Sequence, residues 1–159
     1  GLGVGVGMTM LSHCDLVLMA ESTKMKTPFP QLGLAPEAGS SFSFAERMGW
    51  QNAAYALMSG RWFSAKECLE MGLAWRIEAD EAVLEKSIEV AQELAANPIP
   101  SLIATKQLMM DAGRAEASWA AHAKENEAYA DLMGGPANKE AFKAFAEKRE
   151  PDFSNISGL

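Results

Sequence analysis

Apolar and polar positions change rhythm along this chain. Its first third holds short apolar blocks broken by glycine and proline, and its second half carries mostly helical spacing. Residues 6–11 read as the start of a short apolar helix. Residues 14–20 form an apolar run interrupted only by Asp15, the pattern of a strand covered on both faces. Residues 25–27 fit a short strand, which Pro28 and Pro30 must end. A helix over 51–59 is stopped by Gly60, and Ser64-Ala65-Lys66-Glu67 is a capping box opening a helix that ends at Gly72. Residues 81–96 place Leu84, Ile88, Ala91, Leu94 and Ala95 on one helical face. Two further helices, 101–112 and 115–133, are divided by Gly113 and Arg114. Asn138 is expected to cap a last helix, with Phe142, Phe145 and Arg149 sharing a face and Pro151 ending it.

Strands early and helices late predict a sheet layer followed by a helical region. With 159 residues, 48% apolar and 22% charged, the chain has the composition of an ordinary globular domain. Its net charge of −7 argues against a nucleic-acid partner, and no apolar run reaches the ~20 residues of a membrane span. Cys14 and Cys68 sit within apolar patterns and read as buried hydrophobes, which fits a reducing compartment. Ser157-Gly158-Leu159 is similar to a peroxisomal tripeptide but lacks its basic central residue, and is set aside. The chain opens on Gly1 rather than methionine and is expected to lack N-terminal sequence.

Candidate chemistry is sparse. His13 and His122 lack companions at ligand spacing, so a metal site is not expected and both read as structural. Ser40 and Ser41 have no nucleophile elbow around them. Leu108-Met109-Met110 reads as core packing, and Lys143, Lys148 and Arg149 as a solvated face. The glycine-alternating start misses the dinucleotide fingerprint. It reads as a tight turn into a helix, or as a turn whose exposed amides could receive developing negative charge. One carboxylate stands out: Glu37, within Leu34-Ala35-Pro36-Glu37-Ala38-Gly39-Ser40-Ser41. Pro36 fixes its own φ, Gly39 permits an unusual backbone angle, and Ser40 and Ser41 are natural helix N-caps. Such a turn leaves Glu37 either solvated or aimed into a pocket.

The order of residues 1–15, then Thr27 to Ser41, then Ser59-Gly60-Arg61, Met71-Gly72-Leu73 and Ala144-Phe145-Ala146-Glu147-Lys148-Arg149, resembles the crotonase (enoyl-CoA hydratase/isomerase) superfamily over essentially the whole chain. The resemblance implies an α/β fold of the crotonase-like (ClpP/crotonase) spiral type, its N-terminal part missing, followed by a C-terminal helical trimerisation region. Residues 1–78 would be the core and 79–159 the trimerisation or lid region. The Glu37 turn most resembles peroxisomal-type Δ3,Δ2-enoyl-CoA isomerases, which makes Glu37 the catalytic acid/base. Hydratases of the family use two glutamates, and their matching positions here are Thr9 and Phe29, neither a carboxylate. The backbone N–H near Val6 would be one oxyanion donor. Phe29, Phe145 and Lys148 would contact substrate or coenzyme A.

The expected reaction is isomerisation of 3-enoyl-CoA to 2-trans-enoyl-CoA. Enoyl-CoA hydration, another crotonase-type reaction, or non-catalytic acyl-CoA binding stand as alternatives. Coenzyme A enters as part of the substrate, and no other cofactor or metal is implied. The implied partners are an acyl-CoA, no nucleic acid or membrane, and further copies of the chain as a homotrimer or dimer of trimers. A missing N-terminal segment would complete the site. The compartment implied is cytoplasmic in a bacterium, or peroxisomal or mitochondrial in a eukaryote.

Overall fold

The computed structural model of this chain describes residues 1–110 and 113–156. Its strands are short: β1 (Leu2–Val4), β2 (Leu18–Ala20), β3 (Lys24–Lys26), β4 (Trp62–Ser64) and β5 (Arg76–Glu78). β1 lies parallel to β3 and β4 antiparallel to it, so Met25 stands between Gly3 and Phe63. β2 and β5 form a separate parallel pair, with Met19 beside Ile77. The core gathers between these sheets and the helices, with Met8, Phe44, Phe63, Cys68 and Leu73 fully buried.

The first helix, α1 (Val6–Thr9), continues as a 3-10 turn over Met10–His13, and a second 3-10 turn covers Pro30–Leu32. Then follow α2 (Ser40–Met48), α3 (Trp50–Ser59), α4 (Ala65–Glu70), α5 (Val83–Ala95), α6 (Ile99–Met110), α7 (Arg114–Leu132) and α8 (Pro136–Glu147). α2 packs on α3 and α7, and α8 packs on the Pro30–Leu32 turn. Among the described residues no helix is long and apolar enough to cross a membrane, and no group of three His, Cys, Asp or Glu side chains could hold a metal ion.

Several expectations are corrected. The strand over 14–20 shrinks to β2, because Cys14 ends the 3-10 turn and the Arg47 guanidinium holds the carbonyls of Cys14 and Asp15. Burial alternates along β2 instead of covering both faces. β1, β4 and β5 were not foreseen, since three residues are too few for a periodicity to register. The helix over 51–59 begins at Trp50, and the capping box at Ser64 is present in full. On α5 the buried residue is Val90, while Leu84, Ile88 and Leu94 of the expected face are exposed. Leu108 and Met109 are exposed rather than core.

The helix expected over 101–112 starts earlier, at Ile99, and Ala112 lies outside the described residues, as do Ser157, Gly158 and Leu159. Arg114 belongs to α7, which has Gly113 as its N-cap. Asn138 is not a cap. Gly135 takes that position, and Asn138 follows Pro136 within the first turn of α8, buried. Phe142 and Phe145 face outward, while Ala141 and Ala144 are buried.

Candidate active site

The Glu37 turn is held from several sides. Its approach bends at Gly33, which has a left-handed φ of 63°. The Glu37 carbonyl accepts from the Ser40 backbone N–H at 3.0 Å and from the Ser40 hydroxyl at 2.6 Å. Ala38 is a non-glycine residue at φ 60°, and its carbonyl accepts from His13 Nε2 at 2.7 Å. Gly39, at φ 70°, is the N-cap of α2. Ser40 and Ser41 therefore follow the cap as first-turn residues, contrary to the expectation that their side chains cap the helix. The capping oxygens come from Glu125 on α7, which accepts from the N–H groups of Gly39 at 2.6 Å and Ser41 at 2.8 Å.

Opposite stands the turn from β1 into α1. Gly5 donates to the Lys26 carbonyl at 2.9 Å and adopts φ 55°, which an L side chain rarely takes. Oε1 of Glu37 lies 3.4 Å from where a Gly5 Cβ would stand, so the carboxylate rests against this turn. Val6 follows as the first residue of α1, exposed, and its N–H has no acceptor within the helix. The structure thus brings the carboxylate and the exposed amide turn together. Glu37 itself is half-buried.

The remaining candidates are placed differently. Thr9 is fully buried, and its hydroxyl has no hydrogen-bond partner among the described residues. Phe29 is 5% exposed and belongs to the core cluster. Phe145 is 84% exposed near the end of α8, and Lys148 caps that helix at φ 55°. Both lie well away from the helix's contact with the Glu37 approach, since Phe145 is about 10 Å further along the axis than Asn138. Arg149 is not part of a free cationic face: it pairs with Glu140 and Glu147, and Glu140 is pulled down to about 2 by that guanidinium and the Asp152 N–H.

Sequence reasoning missed the supporting roles of two side chains, Glu125 and Asn138. Glu125 gave no local sign because its partners lie more than eighty residues earlier. Asn138 accepts from Gly134 N–H at 3.0 Å and donates to the Leu32 carbonyl at 2.7 Å, tying α8 to the segment before Glu37. His13 was read as structural, and its bond to Ala38 supports that reading while placing it beside the candidate base. Behind the turn, a cavity of about 460 Å³ is lined by Ala38, Arg47, Lys106, Arg114 and Trp119, among others. Burial and the nearby Arg114 push the Arg47 guanidinium down, and Lys106 is paired with Asp15.

The model of the enoyl-CoA hydratase/isomerase family matches residues 1–156. The chain belongs to this family. It is 32% identical to a mevalonyl-coenzyme A hydratase of Aspergillus fumigatus, over 96% of this chain and 57% of that protein. It is 28% identical to the 1,2-epoxyphenylacetyl-CoA isomerase of Escherichia coli, over 97% of this chain and 58% of that protein. A solved enoyl-CoA hydratase/isomerase from Pseudoalteromonas atlantica superposes with a TM-score of 0.90 at 33% identity, covering 97% of this chain and 62% of the other. The crotonase-like fold is thereby shown. This family member spans a little under two thirds of the length of those relatives.

Proposed function

We propose that Glu37 is the acid/base of a 3-enoyl-CoA to 2-trans-enoyl-CoA isomerase. The observation that carries the reading is the Glu37 carboxylate lying against the Gly5 turn, next to the free amide that opens α1. A thioester acidifies the C2 proton because the dienolate places its charge on the thioester oxygen. Each backbone N–H aimed at that oxygen contributes about 3 kcal/mol to the transition state. One donor is the Val6 N–H, the first amide of α1. Glu37 takes the proton from C2 and returns it at C4, so one carboxylate completes the reaction. Conjugate addition of water calls for a second carboxylate to activate it, and Thr9 and Phe29 supply none.

Phe145 and Lys148, on the exposed end of α8, are the proposed coenzyme A contacts, and a trimer is the proposed assembly. Hydration is the competing reading, since the relatives include hydratases. The test is incubation of the full-length protein and its Glu37→Gln variant with 3-hexenoyl-CoA and 2-hexenoyl-CoA. The proposal expects isomerisation of the former, lost in the variant. 3-Hydroxyacyl-CoA as the main product, binding without conversion, or normal turnover by Glu37→Gln overturns it.

A further inference from the structure

Glu125 sits mid-way along α7 and is 5% exposed, yet it makes no ion pair among the described residues. Its burial is offset instead by two charge-assisted hydrogen bonds from the first turn of α2 and by the positive end of that helix. The approach is close by design of the sequence. A Cβ on Gly39 would stand 3.0 Å from both the carbonyl oxygen and Oγ of Ser118, about two helical turns before Glu125 on the same face of α7.

The geometry points to Glu125 as a positioning residue for Glu37, acting through the backbone of the turn and not on the substrate. The inference rests on Glu37 being the base. Between Glu37 and the clasped Gly39 there is one residue, Ala38, held at φ 60°. An L residue rarely adopts that backbone, so the turn is kept against a local preference. Three contacts oppose its relaxation: His13 on the Ala38 carbonyl, Ser40 on the Glu37 carbonyl, and Glu125 on the Gly39 and Ser41 amides. Glu125 is the one among them contributed by the C-terminal helices. Removing it frees the Gly39 and Ser41 amides to turn elsewhere, Ala38 relaxes, and the Glu37 carboxylate moves off the Gly5 turn. A displacement of about 1 Å at a reacting group costs on the order of a hundredfold in rate.

The effect should fall on kcat, because the hydrogen bonds of Glu125 go to the amides of the turn that carries Glu37 and not to the proposed coenzyme A contacts on α8. In the full-length protein, Glu125→Ala is expected to lower kcat for 3-hexenoyl-CoA about a hundredfold with KM little changed. Glu125→Gln should fall between, since its amide oxygen still accepts one N–H. Circular dichroism and thermal unfolding establish that each variant is folded at the assay temperature. In the Glu37→Gln background, adding Glu125→Ala should lower the residual rate no further, since the group being positioned is already gone. An additive loss in the double variant means a general structural role and overturns the inference. So does wild-type kcat in both Glu125 variants while Glu37→Gln is inactive, an outcome that leaves Glu37 as the base. If Glu37→Gln retains activity, the base assignment itself fails and the inference with it. Should Glu125→Ala not fold, Glu125→Gln decides: reduced kcat at unchanged KM supports positioning, and unchanged kcat refutes it.

Discussion

Gly33→Ala is the sharpest probe of how the C-terminal helix α8 sets the Glu37 segment. Gly33 has φ 63°, and a Cβ there would stand 2.6 Å from the Asn138 nitrogen and 2.7 Å from the Ala137 carbonyl carbon. Both are backbone atoms, so no side-chain rotation can relieve the overlap. The left-handed backbone alone costs an alanine about 1–2 kcal/mol. Relief of the overlap requires α8 to back away by nearly 1 Å, which stretches the 2.7 Å bond from Asn138 to the Leu32 carbonyl beyond useful length. A buried polar group left unpaired adds about 1–3 kcal/mol. The expected total is about 3 kcal/mol, or about 6–12 °C in Tm for a chain of this size. The matched control is Gly134→Ala, which shares the left-handed backbone at φ 73° but has open space around its Cβ position. Thermal unfolding of both variants, followed by circular dichroism, separates backbone preference from collision. Equal losses for the two would refute the claim that α8 is seated directly on Gly33.

Thr9→Val removes a buried hydroxyl without a partner among the described residues, and should leave Tm unchanged or raise it by up to about 1 kcal/mol equivalent, with isomerisation intact. A large loss of activity would show that Thr9 takes part in the chemistry. Glu67 is held down to about 2, first by Arg61 and then by the Ser64 N–H and hydroxyl, and Glu140 to about 2 by Arg149. Both carboxylates are lowered in the folded state, so the stability they add is present above their ordinary 4.5 and is lost as pH falls through about 2. Urea midpoints across that window should drop less steeply for Glu140→Gln than for the parent, and an identical slope contradicts the ion pair's role. Burial pushes the Cys68 thiol up to about 11, so it should resist alkylation at neutral pH in the folded protein and react once unfolded. Rapid native labelling of Cys68 would overturn its placement in the core.

Local chemistry made much of this fold readable. The Ser64 capping box, the Gly60 stop and the helix bounds around it follow from residues within one turn of each other. The turn holding Glu37 was legible for the same reason, through Pro36 and Gly39. What stayed hidden depends on distant partners. Asn138 looked like a cap because Gly134-Gly135-Pro136 breaks the chain just before it, yet its side chain answers to Leu32, 106 residues away. Ser40 and Ser41 looked like caps because hydroxyls usually serve, but a buried carboxylate from α7 had already taken the free amides. Leu108 and Met109 were assigned to the core on composition alone, although α6 leaves them exposed. In the site, the residue type of Glu37 was evident, while its proximity to the Gly5 turn could emerge only from folding β1 beside β3.

The central claim is that one carboxylate, Glu37, carries the proton from C2 to C4. Its most direct test uses 3-hexenoyl-CoA bearing deuterium at C2, turned over by the full-length protein in ordinary water under single-turnover conditions. A shuttle on a single half-buried carboxylate predicts that part of the deuterium reappears at C4 of the 2-trans product, and that Glu37→Gln leaves only a residual rate without transfer. Product in which the deuteron removed from C2 never reappears at C4, or label transfer persisting without Glu37, would contradict the account.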